Sequence, residues 1–303
     1  MSKISKKLTL VRFAAIYLPI VVGLIFTATG IAYFLETSQT YAVEKLPVYG
    51  FINLASKEFD AQEMTVTIDS ISEQGSYAEV KVNLVLNAQD EDVKSFGLQV
   101  PHRVENAYFK IAYTDAEKTA VFYDQGEGKV TWLPDKDVSL LSYEFLPQSG
   151  TNWYSVEVSF QWFNAVTRTS FASYEILVPF SESDNVAVDA SSGLTMLRNE
   201  VAISLNVNLP VNDRLVDSIP QPVEEVISWR DSLGIRSLVF VDKVNFGRTP
   251  GYPELPSFRV SYEVPELRVS YDRLIFNSGL FLGIGIQFLL AGIFDAIKLR
   301  NER

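Results

Sequence analysis

Two patterns divide this chain. Near each end runs an apolar stretch without a charge, and between them apolar and polar residues take turns. Residues 13–35, FAAIYLPIVVGLIFTATGIAYFL, are 23 uncharged positions. At about 1.5 Å per residue they span a hydrocarbon core of roughly 30 Å. Residues 274–294, LIFNSGLFLGIGIQFLLAGIF, do the same near the other end. Lys3, Lys6, Lys7 and Arg12 give the first stretch the flank of a secretory signal. The apolar region of such a signal is about 7–15 residues, so the length favours an anchor that is retained.

The middle of the chain follows a period of two. Ala78, Val80, Val82 and Leu84 alternate with Glu79, Lys81 and Asn83. Tyr154 to Trp162 and Val201 to Leu209 repeat the pattern. Alternation of this kind puts one face of a strand in a core and the other in water. Further strands are expected at 64–71, 96–104, 107–113, 120–124, 128–133, 139–146, 171–180, 237–244 and 257–271. The last breaks phase at Pro265-Glu266, which predicts a bulge or bend. One short helix is expected over Pro222–Gly234, with proline near its start, Glu224 and Glu225 in its first turn and glycine after its end. The expected fold is all-β and membrane-anchored. Two transmembrane helices flank an extracytoplasmic antiparallel β-sandwich, of immunoglobulin-like form, with that one helix.

The expected domains are a cytoplasmic tail at 1–12, a first span at 13–35, the β-domain at 36–273 with a sub-boundary at 181–199, a second span at 274–294, and a cytoplasmic tail at 295–303. Charge sets the orientation. Four basic residues precede the first span and only Lys45 follows closely, which places both termini in the cytoplasm of a plasma-membrane protein. Residues 1–35 carry +4 and 274–303 carry +1, so the whole-chain charge of −11 leaves −16 on 36–273. An acidic domain repels phosphate backbones, so nucleic acid is not an expected partner.

The chain has no cysteine and one histidine, His102, so disulfides, thiolate chemistry and a histidine-rich metal site are excluded. Zero cysteines and no Asn-x-Ser/Thr sequon fit a prokaryotic origin. Asp90, Glu91 and Asp92, near Asn87, form a carboxylate cluster of the hard-oxygen kind that binds Ca²⁺, as do Asp184 and Asp189, but the EF-hand spacing and its glycine are missing. Solvated acidic turns explain both clusters more simply. His102 follows Pro101 at a strand end and has no matched nucleophile motif, and no hydrolase, zincin or nucleotide-loop pattern occurs. No catalytic residue and no cofactor are expected.

The spans hold one more pattern. Gly279, Gly283, Gln287, Ala291 and Asp295 recur every four residues, and Gly23 and Thr27 fall on a similar stripe with Ala15 and Pro19 in the first span. Small residues so spaced let helices approach closely. The stripe predicts either packing of the two spans on each other or a seam to another protein, with Gln287 as a polar contact inside the bilayer. The layout resembles that of trimeric ligand-gated channel subunits, although their cysteine-rich ectodomain is absent here. The expected function is a non-enzymatic accessory or interaction protein, whose β-domain binds a protein or envelope partner or packs in a larger membrane complex. The expected partners are the lipid bilayer and a protein, or further copies of this chain through the transmembrane helices and the β-domain. The alternative is a subunit of an oligomeric channel or transporter with the second span lining the path.

Overall fold

The computed structural model describes residues 3–39, 41, 49–56, 60–71, 77–87, 93–114, 121–146, 151, 153–180, 187, 193–196, 200–230, 233–245 and 257–301. They form two compact units. One contains both chain ends and Ser170–Ala172, and the other contains Val43–Thr169 with Ser173–Glu263.

The first unit is a pair of helices, α1 (Lys3–Thr37) and α2 (Pro265–Asn301). Both are long and apolar enough to cross a bilayer. α2 begins at Pro265, so residues 265–271 are helical and do not continue the last strand as expected. Pro265 at the first helical position and Glu266 in the first turn suit a helix start. The Arg268–Asp272 pair at 3.5 Å follows on the helix surface. The Val264 N–H donates to the Ala172 carbonyl, and the Phe171 and Tyr271 rings meet at 5.4 Å, so the segment 170–172 holds the start of α2.

The two helices run antiparallel. The backbone of Gly23 lies against Leu289 and Gly285, and that of Gly30 against Leu282 and Ser278. Ser278 Oγ donates to the Gly30 carbonyl at 2.9 Å, and Phe281 packs on Phe26 and Tyr33. The contact on α2 therefore follows Ser278, Leu282, Gly285 and Leu289, spaced 4-3-4, the periodicity of a left-handed helix pair.

The second unit contains β1 (Ile52–Ala55), β2 (Asp60–Ile71), β3 (Tyr77–Asn87), β4 (Ser95–Pro101), β5 (Val104–Thr114), β6 (Val121–Glu127), β7 (Lys129–Leu133), β8 (Val138–Glu144), β9 (Trp153–Phe163), β10 (Val166–Arg168), β11 (Ser173–Pro179), β12 (Thr195–Met196), β13 (Glu200–Pro210), β14 (Arg214–Ile219), β15 (Glu224–Arg230), β16 (Leu233–Asn245) and β17 (Ser257–Glu263). An eight-stranded sheet runs β15-β16-β13-β2-β3-β9-β5-β6. A five-stranded sheet runs β12-β1-β4-β8-β7, and a four-stranded sheet runs β10-β11-β17-β14. Among the described residues the named strands pair antiparallel except β2 with β13, which is parallel. These orders do not show an immunoglobulin arrangement. Strands from both sides of 181–199 share the large sheet, and most of that segment lies outside the described residues.

The alternation in the sequence becomes alternation in burial. Along β9 every second residue, Tyr154, Val156, Val158, Phe160 and Trp162, is buried, and the intervening positions are half-exposed. Aromatic pairs join the large sheet to the smaller ones. Phe109 stacks on Tyr143 at 5.5 Å, Phe51 meets Trp162 at 5.1 Å, and Phe240 meets Phe258 at 6.3 Å. Each such side chain contributes about 1.5–3 kcal/mol by leaving water. Trp162 also donates its indole N–H to the Pro101 carbonyl at 2.6 Å.

The helix expected over Pro222–Gly234 is not present. Its residues form β15, which pairs in continuous register with β16 from Glu224↔Val239 to Arg230↔Leu233. Gly234 is not a helix cap. It makes room for Val211, whose Cγ1 would lie 2.5 Å from a Cβ added there, and for the Trp229 ring.

Candidate functional site

The polar face of the large sheet carries the most developed site among the described residues. Four adjacent strands build it. Its residues alternate with buried core positions, so their side chains are committed to one side by the pleat. On β3 and β9, Glu79 sits opposite Gln161 and Lys81 opposite Ser159. On β9 and β5, Glu157 sits opposite Lys110.

Two irregularities shape this face. Asp69 is an extra residue in β2, between Ile68↔Val80 and Ser70↔Glu79. Asn106 lies in the extra step of β5 between Glu105↔Gln161 and Tyr108↔Ser159, with φ of 56°. Asparagine tolerates this left-handed conformation better than most residues. Bulges bend a strand and re-aim the side chain at the break. Here both border a recess of about 410 Å³, lined by Asp69, Glu79, Lys81, Asn106, Lys110, Glu157 and Gln161 among others.

The polar groups of the recess are cross-linked. Glu157 accepts from Lys110 Nζ at 3.0 Å and lies 4.0 Å from Lys81 Nζ. Asn106 Nδ2 donates to Gln161 Oε1 at 2.8 Å, and Asn208 Nδ2 donates to Asp69 Oδ1 at 2.7 Å. The hydrogen bond to Glu157, reinforced by its charge, holds the Lys110 ammonium above its ordinary pKa. One rung beyond Glu79 and Gln161, on the same face, the Tyr77 and Phe163 rings meet at 5.8 Å. The Arg103 guanidinium lies 5.8 Å from the centre of the Phe163 ring. The site thus offers cations, carboxylates and amides in fixed positions beside an aromatic shelf.

Reading the sequence alone did not single out this recess. Its signal is a phase slip in β5, where Val104 is buried and the buried series then restarts at Ala107, Phe109 and Ile111. The carboxylates Asp90, Glu91 and Asp92 lie outside the described residues, as do Asp184 and Asp189. Among the described residues no group of three or more His, Cys, Asp or Glu side chains is placed to hold a metal ion.

His102 is buried at the turn after β4, with φ of 62°. Its Nδ1 lies 2.8 Å from Asp137 Oδ2, its backbone N–H donates to the Asp137 carbonyl, and its ring stacks on Trp162 at 6.5 Å. The neighbouring Ser139 hydroxyl is occupied by backbone. It accepts from Val104 N and donates to the His102 carbonyl. This arrangement fastens a turn.

The stripe singled out in the spans is divided by the structure. Gly23 and Thr27 lie at the contact between α1 and α2, with Thr27 against Gly285. Gly279, Gly283, Gln287, Ala291 and Asp295 are all exposed, and nothing lies within 4 Å of a Cβ added at Gly279 or Gly283. The geometric reason is drift. A step of four residues turns about 40° past a full circle, so five such positions spread over roughly 160° of the helix.

Neither a protein family nor a curated protein matches the chain. Among solved structures it is similar to an M1 zinc metallopeptidase from Deinococcus radiodurans, with 9% identity and a TM-score of 0.38, over 69% of this chain and 43% of that one. The chain thus spans less than half the length of that peptidase. It is also similar to a protein assigned to nutrient binding from Legionella pneumophila, with 11% identity and a TM-score of 0.39, over 74% of this chain and 73% of that one. Likenesses this distant carry no argument about activity.

Proposed function

We propose that this chain is a non-enzymatic binding protein anchored in a plasma membrane by α1 and α2. Both termini are cytoplasmic, and the β-unit presents the polar face of its large sheet to an envelope partner outside the cytoplasm. One observation carries the binding reading: the bulge-framed recess around Glu157, Lys81 and Lys110 with its Tyr77–Phe163 shelf. Its fixed donors and acceptors suit a ligand rich in hydroxyl and charged groups, such as a cell-envelope polysaccharide, and its rings suit stacking on the flat face of a sugar.

The experiment is co-sedimentation of the full chain in detergent with insoluble cell-wall polysaccharide, comparing the native chain with Lys110→Glu. Retention of the native chain and at least tenfold weaker retention of the variant are expected. Equal retention refutes the recess as the binding face. Orientation is tested separately with membrane-impermeant reagents on intact cells: cysteines introduced at Lys3 and Arg303 should stay unlabelled until the inner face is exposed.

A second reading rests on α2. Gln287 and the open Gly279–Gly283 row are exposed on a helix of membrane length, where an unpartnered polar side chain is costly. That supports packing against a helix of another subunit, including the channel or transporter arrangement. A fixed ring of copies in a native mass measurement favours it, and a smaller assembly counts against it.

A further inference from the structure

Among the described residues, β15 is the end strand of the large sheet. Every described side chain from Val223 to Trp229 is exposed, including Val223 at 65%, Ile227 at 52% and Trp229 at 71%. Among the described residues β15 pairs on one side only, with β16, so alternate N–H and C=O groups along its other side have no strand partner there. Folded proteins commonly blunt such edges with bulges, prolines or lysines. β14, an edge of the four-stranded sheet, has a register break at Val216. β6, at the far end of the large sheet, is followed after Gly128 by β7, which belongs to a different sheet. β15 has none of these devices: its register is unbroken over seven residues, and Glu-Glu-Val-Ile-Ser-Trp-Arg contains neither proline nor lysine.

That sequence is complementary to itself when reversed. In an antiparallel pair of two β15 strands centred on Ile227, Glu224 of each copy falls opposite Arg230 of the other. Ile227 meets Ile227, Val226 faces Ser228, and Glu225 faces Trp229. Opposite charges directly across a strand pair are favourable, and like charges there are unfavourable. Glu225 is already engaged by Arg236 of its own chain at 3.2 Å, so Glu224 is the acid this register offers to a second copy. The ends of the seam are thus matched in charge and its centre is apolar, which suits an isologous two-fold contact.

We infer that β15 is the seam of a homodimer in which two large sheets join edge to edge, with Glu224 and Arg230 setting the register. The inference does not depend on the polar recess, which occupies other strands of the same sheet.

The test uses the full chain in detergent micelles, with mass read by analytical ultracentrifugation. The native chain is expected at twice the mass of one copy. Ile227→Lys places a charge at the centre of the edge and is expected to shift the chain to a single copy. Because Ile227 is half-exposed, the fold tolerates this change, and an unaltered far-UV spectrum checks it. Glu224→Arg alone sets arginine against arginine at both ends and is expected to weaken the dimer at least tenfold. Glu224→Arg combined with Arg230→Glu restores opposite charges and is expected to restore the dimer. A native chain that stays single overturns the inference, as does an Ile227→Lys variant that stays double. So does a combined swap that fails to rescue, which would assign the edge to a different partner.

Discussion

Replacing Gly285 with alanine tests the helix pairing directly, because the same substitution two residues earlier is its internal control. A Cβ at 285 would lie 2.6 Å from Thr27 N and 3.0 Å from Gly23 O, and both are backbone atoms that cannot rotate away. Ordinary contact needs about 3.5 Å, so the helices must part by roughly 1 Å at the crossing. Overpacking of that size costs about 1–3 kcal/mol. The same movement stretches the Ser278 Oγ–Gly30 O hydrogen bond from 2.9 Å beyond useful range, which removes about 0.6–1.7 kcal/mol in a membrane setting. Alanine returns about 1 kcal/mol through helix propensity. The net expectation for Gly285→Ala is therefore a loss of about 0.6–3.7 kcal/mol in helix–helix stability. Gly283→Ala meets nothing within 4 Å and is expected to be neutral or slightly stabilising. The assay is reversible SDS titration of the full chain in mixed micelles. Helix separation is read by energy transfer between labels on one cysteine introduced into each helix, in a chain that has none of its own. Equal midpoints for Gly285→Ala and the parent would refute the reasoning, as would a Gly283→Ala loss as large as that of Gly285→Ala. If Gly283→Leu disrupts an assembly while leaving this titration unchanged, the open row of α2 belongs to another protein's helix.

Trp162→Ala should lower the stability of the β-unit by about 3–5 kcal/mol, because the indole is fully buried against Phe51 and His102. Trp162→Phe should recover most of that loss, and calorimetry of both variants checks the order. Gln99→Leu should cost about 2–5 kcal/mol, since it removes the hydrogen bonds that the buried amide makes to the Gly50 carbonyl and the Ala187 N–H at 2.9 and 2.7 Å. A melting temperature within two degrees of the parent would refute that role. Burial, aided by its hydrogen bond to Asp124, pushes the Tyr143 hydroxyl up to about 12 from an ordinary value of 10.0. The folded state therefore binds this proton more tightly than the unfolded state does. Its stabilising contribution is fully present below pH 10 and is lost as pH rises from 10 towards 12. Tyr143→Phe should flatten the stability profile in that window and remove one late-titrating tyrosine from the ultraviolet absorbance curve.

Much of the β-unit was legible in the sequence, for a local reason. Strands such as β3, β9 and β13 bury one face, so their apolar residues must alternate, and that alternation is written along the chain itself. Both long helices were legible for a similar reason, since unbroken apolar composition needs no partner to be recognised. The reading failed where neighbours distant in sequence decide. Pro222 with Glu224–Glu225 and Pro265 with Glu266 give the same local signature of a helix start, yet only the second is one. β15 has β16 beside it to take the backbone hydrogen bonds of one side, whereas the chain after Pro265 leads into an apolar run that satisfies its own. Because β15 is exposed on both faces, it lacked the alternation that marks a strand. The strict four-residue stripe on α2 does not mark the contact with α1, because a helix turns every 3.6 residues, and only the presence of α1 selects Ser278, Leu282, Gly285 and Leu289 as that contact. The recess around Glu157 came from tertiary structure alone. Asp69, Lys81, Asn106 and Glu157 are scattered along the chain, and it is strand register and two bulges that bring them to one face.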